Sequence, residues 1–240
     1  MKKPKKITVK FFLHTILKPL DETKPEEERE YALYTRITYN RKNTDIKVHY
    51  GGYFRTLEEV RTLQPHLLPF EEQTFRKVVL HEVSKQGEDI DMKGLGDKYA
   101  RYCLSIHALF SNHLKARLRS ESAHARPKEF GEVIDFKKES LEFKLIFRAA
   151  KKLFENLEEV LSEEFWEEMR IYEAYYELYK KEVTQKTLYQ FPIVVDWLNG
   201  THLMELEPRL LAYFEAEPFM VSRAINTINR IVWARTEKIK

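Results

Sequence analysis

Cysteine occurs once in 240 residues, at Cys103. A lone thiol excludes an intramolecular disulfide and any zinc site built on several thiolates, and it suits a reducing compartment. Glycine and proline are scarce, at 7 and 9 residues, which argues against a disordered or turn-rich all-β chain. Long apolar runs are missing as well: nothing approaches the roughly 20 residues needed to span a bilayer. The basic start, Met-Lys-Lys-Pro-Lys-Lys, is followed only by the short Phe11–Leu17 run, which His14 and Thr15 interrupt. That is too little for a secretory signal. The expectation is a soluble cytoplasmic protein with no membrane partner.

Motifs that carry chemistry are also absent. There is no Gly-x-x-x-x-Gly-Lys phosphate loop, no Gly-x-Gly-x-x-Gly and no Gly-x-Ser-x-Gly. Eight histidines show no metal spacing; His107 and His113 lie six apart and point away from each other on a helix. Asp89–Gly94 opens like a calcium loop, but Lys93 is at its fifth position and Ala100 replaces the bidentate glutamate. The glutamates between 155 and 168 fall at spacings that make a solvated helix face, where carboxylates keep pKa values unsuited to general acid work. The tyrosines at 172, 175, 176 and 179 suit a core and its rim. No catalytic residue, metal ligand or cofactor is assigned, and the chain is not expected to be an enzyme.

What is present is ample material for a core: 43% apolar and 13% aromatic residues. Charged residues make up 33%, with a net charge of only +3. The basic excess is N-terminal, residues 1–60 holding 13 Lys+Arg against 9 Asp+Glu. In the same stretch the hydropathy alternates. Ile7, Val9, Phe11 and Leu13 share one side, opposite Lys10, Phe12 and His14. Leu33, Ile37 and Tyr39 oppose Tyr34, Arg36 and Thr38, and Ile46, Val48 and Tyr50 oppose Lys47 and His49. Period-two alternation predicts half-buried strands, and the break at Asn40–Asn43 predicts a hairpin. The result is a three-stranded antiparallel sheet whose outer face gathers Lys10, Arg36 and Lys47, with Arg41 and Lys42 at the turn. Such a face suits phosphates and the edges of guanine in a DNA groove. Thr38 and Asn40 add neutral hydrogen-bonding groups.

After Gly51-Gly52 the period becomes helical. Thr56-Leu-Glu-Glu59 predicts a helix start, with the helix running to about Leu63, and a second helix ends before Gly87. One apolar stripe, Leu95 to Leu114, predicts a single long helix capped by Asp91 and fading near Arg119. Ser120–Lys128 looks like a linker. Leu141, Leu145, Phe154, Leu157 and Leu161 predict an amphipathic helix, and Ser162 starts another with Phe165, Met169, Tyr172, Tyr176 and Tyr179 inward. Thr184–Leu198 should be helical up to Asn199-Gly200, with Pro192 kinking it or starting a new segment. Pro208 and Pro218 suit first turns. A last helix buries Val221, Ile225, Ile228 and Val232, leaving Arg223, Arg230 and Arg235 outward as further phosphate contacts. The fold class expected is α+β: a sheet module over residues 1–55, a helical region over 56–125 and a helical C-terminal region over 126–240.

Ile7-Thr-Val-Lys-Phe-Phe-Leu13 and Leu33-Tyr-Thr-Arg-Ile-Thr-Tyr-Asn-Arg-Lys42 resemble the N-terminal arm-type DNA-binding module of mobile-element tyrosine recombinases. The resemblance covers residues 6–50, about a fifth of the chain. It implies a sheet that binds double-stranded DNA through Lys10, Arg36, Arg41, Lys42 and Lys47. The recombinase reaction does not carry over: no histidine is followed at the third position by arginine, and no tyrosine lies beyond Tyr213. The function expected is therefore non-catalytic DNA binding associated with a mobile genetic element. The rival expectation is a scaffold that binds a protein partner, or a second copy of itself, through its helical faces.

Overall fold

The computed structural model describes residues 5–125, 142–153, 156–180, 191–215 and 217–236. The architecture is α+β, as the alternation and the later helical period predict. Strands β1 (Thr8–Leu13), β2 (Tyr31–Tyr39) and β3 (Lys42–Lys47) form an antiparallel sheet in sequence order. A short β4 (Tyr53–Phe54) pairs with the start of β2, where the sequence pattern ends at Gly51-Gly52. Gly51 is there because the chain doubles back: a Cβ would stand 3.0 Å from Val48 and 3.2 Å from Leu33. The β1–β2 connection is a long loop containing one helical turn at Glu26–Glu28.

Sheet and helices are divided by contact into two compact units, which cut across the three regions expected from sequence. The first holds residues up to Cys103 together with Ile193–Asn199; the second holds Leu104–Pro192 and the chain from Gly200.

In the first unit, α1 (Leu57–Leu63) starts as the sequence predicts, with the Thr56 hydroxyl accepting the Glu59 N–H at 3.1 Å. Helix α2 (Leu67–Gln86) stops at Gly87, whose φ of 78° is left-handed. The predicted helix through Leu95–Leu114 is two helices, α3 (Leu95–Tyr102) and α4 (Ile106–Ala125). Apolar periodicity runs through the break because both halves bury their stripes. Ser105 restarts the helix by accepting the Ala108 N–H at 3.0 Å, and the break falls where one unit gives way to the other. Asp91 does not cap α3; it folds the preceding turn by accepting the N–H groups of Lys93 and Gly94.

Leu33, Ile37, Ile46 and Val48 bury one sheet face. A returning segment, α8 (Val194–Leu198), completes this unit: Lys77 pairs with Asp196 at 2.6 Å, and His81 shares a 2.7 Å hydrogen bond with Asn199. Glu71 lies fully buried beneath the end of β3. It accepts the Tyr99 hydroxyl at 2.6 Å, and Tyr99 accepts the His49 N–H. Burial pushes the Glu71 carboxyl up to about 7, with Tyr99 and the Tyr50 N–H offsetting only part of that cost.

The second unit packs α4 against α5 (Phe143–Leu153), α6 (Leu157–Val160), α7 (Glu163–Tyr179) and α10 (Pro218–Thr236), while α9 (Thr201–Tyr213) packs on α7 and α10. Ser162 caps α7 as predicted, but Tyr175 is fully buried where Tyr176 was expected inward, and Tyr176 is half-buried. On α5 the buried stripe is Phe143, Ile146, Phe147 and Ala150, and Leu145 faces out. Leu141, Phe154 and Thr184–Gln190 lie outside the described residues. Ser120–Ala125 belong to α4, not to a linker. Pro208 sits well inside α9, whereas Pro218 begins α10 as expected.

Two histidines are buried among this unit's tyrosines. His107 is stacked between Phe191 and Tyr172, and His202 shares hydrogen bonds with Tyr175 and Tyr179. Burial pulls their pKa values down, to about 4 and about 3.

These buried groups give the units opposite responses to pH. Glu71 is an acid whose folded value lies above its usual 4.5. The unfolded chain therefore loses that proton first, and the first unit should lose about 3 kcal/mol as pH rises from about 4.5 to 7. The depressed histidines act the other way, and the second unit should weaken as pH falls from about 6.5 toward 4. Hydrogen exchange followed separately in α2–α3 and in α4–α7 between pH 4.5 and 8 checks both slopes. Glu71→Gln should flatten the first and leave the second.

Candidate nucleic-acid interface

The register of the sheet decides what its open face offers. Asn40 and Arg41, with φ of 48° and 65°, form a two-residue turn, and Tyr39 pairs directly with Lys42. Left-handed values at both central residues match the twist of the flanking strands. Three rows then cross the outer face. Thr8, Thr38 and Asn43 form the row nearest the turn; Lys10, Arg36 and Asp45 form the next; Phe12, Tyr34 and Lys47 form the third. Lys10, Arg36 and Lys47 are all exposed, as the alternation predicts, but Lys47 stands one row away from the other two.

Asp45 changes the character of the middle row. It accepts two hydrogen bonds from Arg36, from Nε and Nη2, each at 2.7 Å. This bidentate pair holds the Asp45 carboxyl below the usual carboxylate range and raises the Arg36 guanidinium. Arg36 therefore has little charge to spare for a phosphate. At the turn, Lys42 pairs with Asp89 at 2.5 Å and Lys5 with Glu88 at 2.7 Å. Asn40 is occupied too, accepting from Lys5 at 2.7 Å and donating to the Glu88 carbonyl at 3.2 Å. Lys10, Arg41 and Lys47 have no carboxylate partner among the described residues. Lys47 instead lies 5.2 Å above the Tyr53 ring, and Thr38 is half-buried between Thr8 and Asn43.

Comparison with known proteins finds no family model that matches this chain, and no similar curated protein or solved structure. The resemblance over residues 6–50 accordingly rests on those residues alone.

The expected second patch, on α10, is built differently. Arg230 reaches Glu168, a carboxylate 3% exposed that also receives His113 at 3.0 Å and Arg117 at 3.0 Å. Burial raises the Glu168 carboxyl, but the hydrogen bond from His113 and the charges of Arg117 and Arg230 outweigh it and leave its pKa lowered. Arg223 pairs with Glu167. Only Arg235 of the three is exposed with no ion pair among the described residues. Arg223 and Arg230 thus tie α10 to α7. No group of three His, Cys, Asp or Glu among the described residues is placed to hold a metal ion, and no transmembrane-length apolar helix is found there.

Sequence reasoning missed the partners of its own cations. Placing the turn at Asn40–Arg41 would have found Asp45 opposite Arg36; the pairing of Lys42 with Asp89 had no local signal. It also left Phe12, His14 and Tyr34 unassigned. Their rings form a cluster on the outer face, with centroids 4.8–6.1 Å apart.

Removing the shared carboxylate tests the assignment of Arg230. Glu168→Ala removes the buried carboxylate that His113, Arg117 and Arg230 share, but Arg117 keeps Glu121 at 2.6 Å and Arg230 keeps Glu164 at 3.6 Å, so the cost should be about 2 kcal/mol. Urea unfolding measures this directly.

Proposed function

We propose that the chain is a non-catalytic DNA-binding protein of a mobile genetic element and contacts duplex DNA through the open face of its sheet. The observation that carries this reading is the exposure of Lys10, Arg36 and Lys47 from three adjacent strands on one face, with Arg41 at the turn beside them. The resemblance of residues 6–50 to arm-type modules points the same way. Because Arg36 and Lys42 are already paired with Asp45 and Asp89, this reading gives the main phosphate contacts to Lys10, Arg41 and Lys47 and lesser roles to Arg36 and Lys42. Thr38 and Asn43 supply hydrogen-bonding groups between them.

A protein-binding scaffold is the second reading. It is favoured by the engagement of Arg223 and Arg230 in ion pairs and by the exposure of Met204, Phe219 and Trp233 on α9 and α10.

Salt dependence separates the two. Each phosphate contact releases about 0.9 of a counterion from duplex DNA. The triple variant Lys10→Ala, Arg41→Ala, Lys47→Ala should therefore reduce the slope of log affinity against log salt by about 2 to 3. Asp45→Asn should do the reverse: with Arg36 released, binding should strengthen several-fold and the slope should steepen by about one. Anisotropy of a labelled 30-base-pair duplex between 50 and 200 mM salt provides both readings. An unchanged slope in the triple variant rejects the sheet as the contact surface.

A further inference from the structure

The aromatic row of the open face carries an inference that rests on the DNA-binding reading and goes beyond it. Phe12, His14 and Tyr34 are aromatic, yet they stand on the side of the sheet opposite its core. The core side is already filled by Leu33, Ile37, Ile46 and Val48, all nearly fully buried, so these rings are not needed there. They are half-buried and in contact with one another: Phe12 and Tyr34 at 6.1 Å, Phe12 and His14 at 5.8 Å, His14 edge-on to Tyr34 at 4.8 Å. Tyr53 on β4 is also exposed, and Lys47 stands above its ring.

The cations nearby are arranged about these rings. The Arg36 guanidinium lies 5.6 Å from the centre of the Phe12 ring, and Asp45 fixes it there with two hydrogen bonds. Held in this way, Arg36 offers a flat surface for stacking more readily than a mobile charge for a phosphate. Lys10 in the middle row and Lys47 in the third row flank the aromatic pair on opposite strands. A duplex hides the faces of its bases and leaves such a surface unused. An unpaired base offers its face to the part of these half-buried rings that solvent reaches, and its neighbouring phosphates find the flanking lysines.

We propose that Phe12, His14 and Tyr34 form a stacking platform for unpaired bases, so that the preferred ligand is DNA with a single-stranded stretch beside duplex. Phe12 and Tyr34 take the base faces, Arg36 extends the platform as a positioned plane, and Lys10 and Lys47 hold the phosphates on either side.

The test compares three labelled DNAs at one salt concentration: a blunt duplex, the same duplex with a short thymidine tail, and an oligothymidylate. The full chain should bind the tailed duplex at least fivefold more tightly than the blunt one. Phe12→Ala and Tyr34→Ala should each cost about tenfold on the tailed duplex and the single strand, and less than twofold on the blunt duplex. Tyr34→Phe, which keeps the ring, should restore the preference. Circular dichroism of each variant confirms that the sheet persists. Equal affinity for tailed and blunt duplex overturns the platform while leaving the cationic contact standing. Equal losses on all three DNAs in the alanine variants overturn it as well. Failure of the wild-type chain to bind any of the three overturns both readings.

Discussion

Register is the constraint on which the rest of the first unit depends. The two-residue turn at Asn40–Arg41 pairs Tyr39 with Lys42 and thereby fixes every pair up the hairpin. Side chains alternate across a strand, so a slip of one residue would move Ile37, Ile46 and Val48 to solvent and bring Arg36 and Lys47 into the core. Burying even one unpaired guanidinium or ammonium costs several kcal/mol, while each large apolar side chain left exposed forfeits about 1.5 to 3 kcal/mol. The two penalties act together, and they leave a single pairing. That same pairing sets Arg36 against Asp45 and Tyr34 against Phe12, so the chemistry of the outer face is a by-product of how the inner face is buried.

Two of the buried carboxylates among the described residues are matched by cations. Glu82 is buried and receives Lys98 and Gln86, and Glu168 collects His113, Arg117 and Arg230. Glu71 is the exception. It has a tyrosine hydroxyl and a backbone N–H for company and no cation beside it among the described residues, so burial dominates and its carboxyl is pushed up to about 7. A raised pKa in a cleft is a common sign of a working acid or base. Here the carboxyl is fully buried, and the Tyr99 that contacts it stacks on Phe75 at 4.0 Å. Its position at the end of β3 makes it a fastening between sheet and helix.

Much of this was legible in the sequence, and the reasons for the remainder are specific. Alternation at Ile7–Tyr50 gave the strands and their inner and outer faces, because a half-buried strand prints its period directly. Thr56, Ser162 and Gly87 gave helix ends through their own local chemistry. Periodicity could not show the break at Cys103–Ser105, since both flanking helices bury the same kind of stripe. It put Leu145 on the wrong side of α5 because several of the residues used to set the phase, Leu157 and Leu161 among them, lie beyond the end of that helix. The return of Val194–Leu198 to the first unit is a contact across more than a hundred residues, as His81 with Asn199 shows, and no local pattern announces it. The candidate site divides in the same way: its cations were read from alternation, whereas Asp89 and Glu88 come from a distant loop.

The ion pair at Arg36 bears on what kind of surface this is. A face evolved only to attract a polyanion gains nothing from a carboxylate in its central row, because Asp45 subtracts charge where the potential should be highest. The same carboxylate is useful if Arg36 must lie flat and still beside Phe12, since two hydrogen bonds remove the rotational freedom that an isolated arginine keeps. The pair also steadies β2 against β3 as any cross-strand ion pair does, so it serves the fold and the proposed platform together. On the proposed reading, the rim cations Lys10, Arg41 and Lys47 would govern how readily nucleic acid arrives, and the fixed Arg36–Phe12–Tyr34 surface would govern which form of it stays.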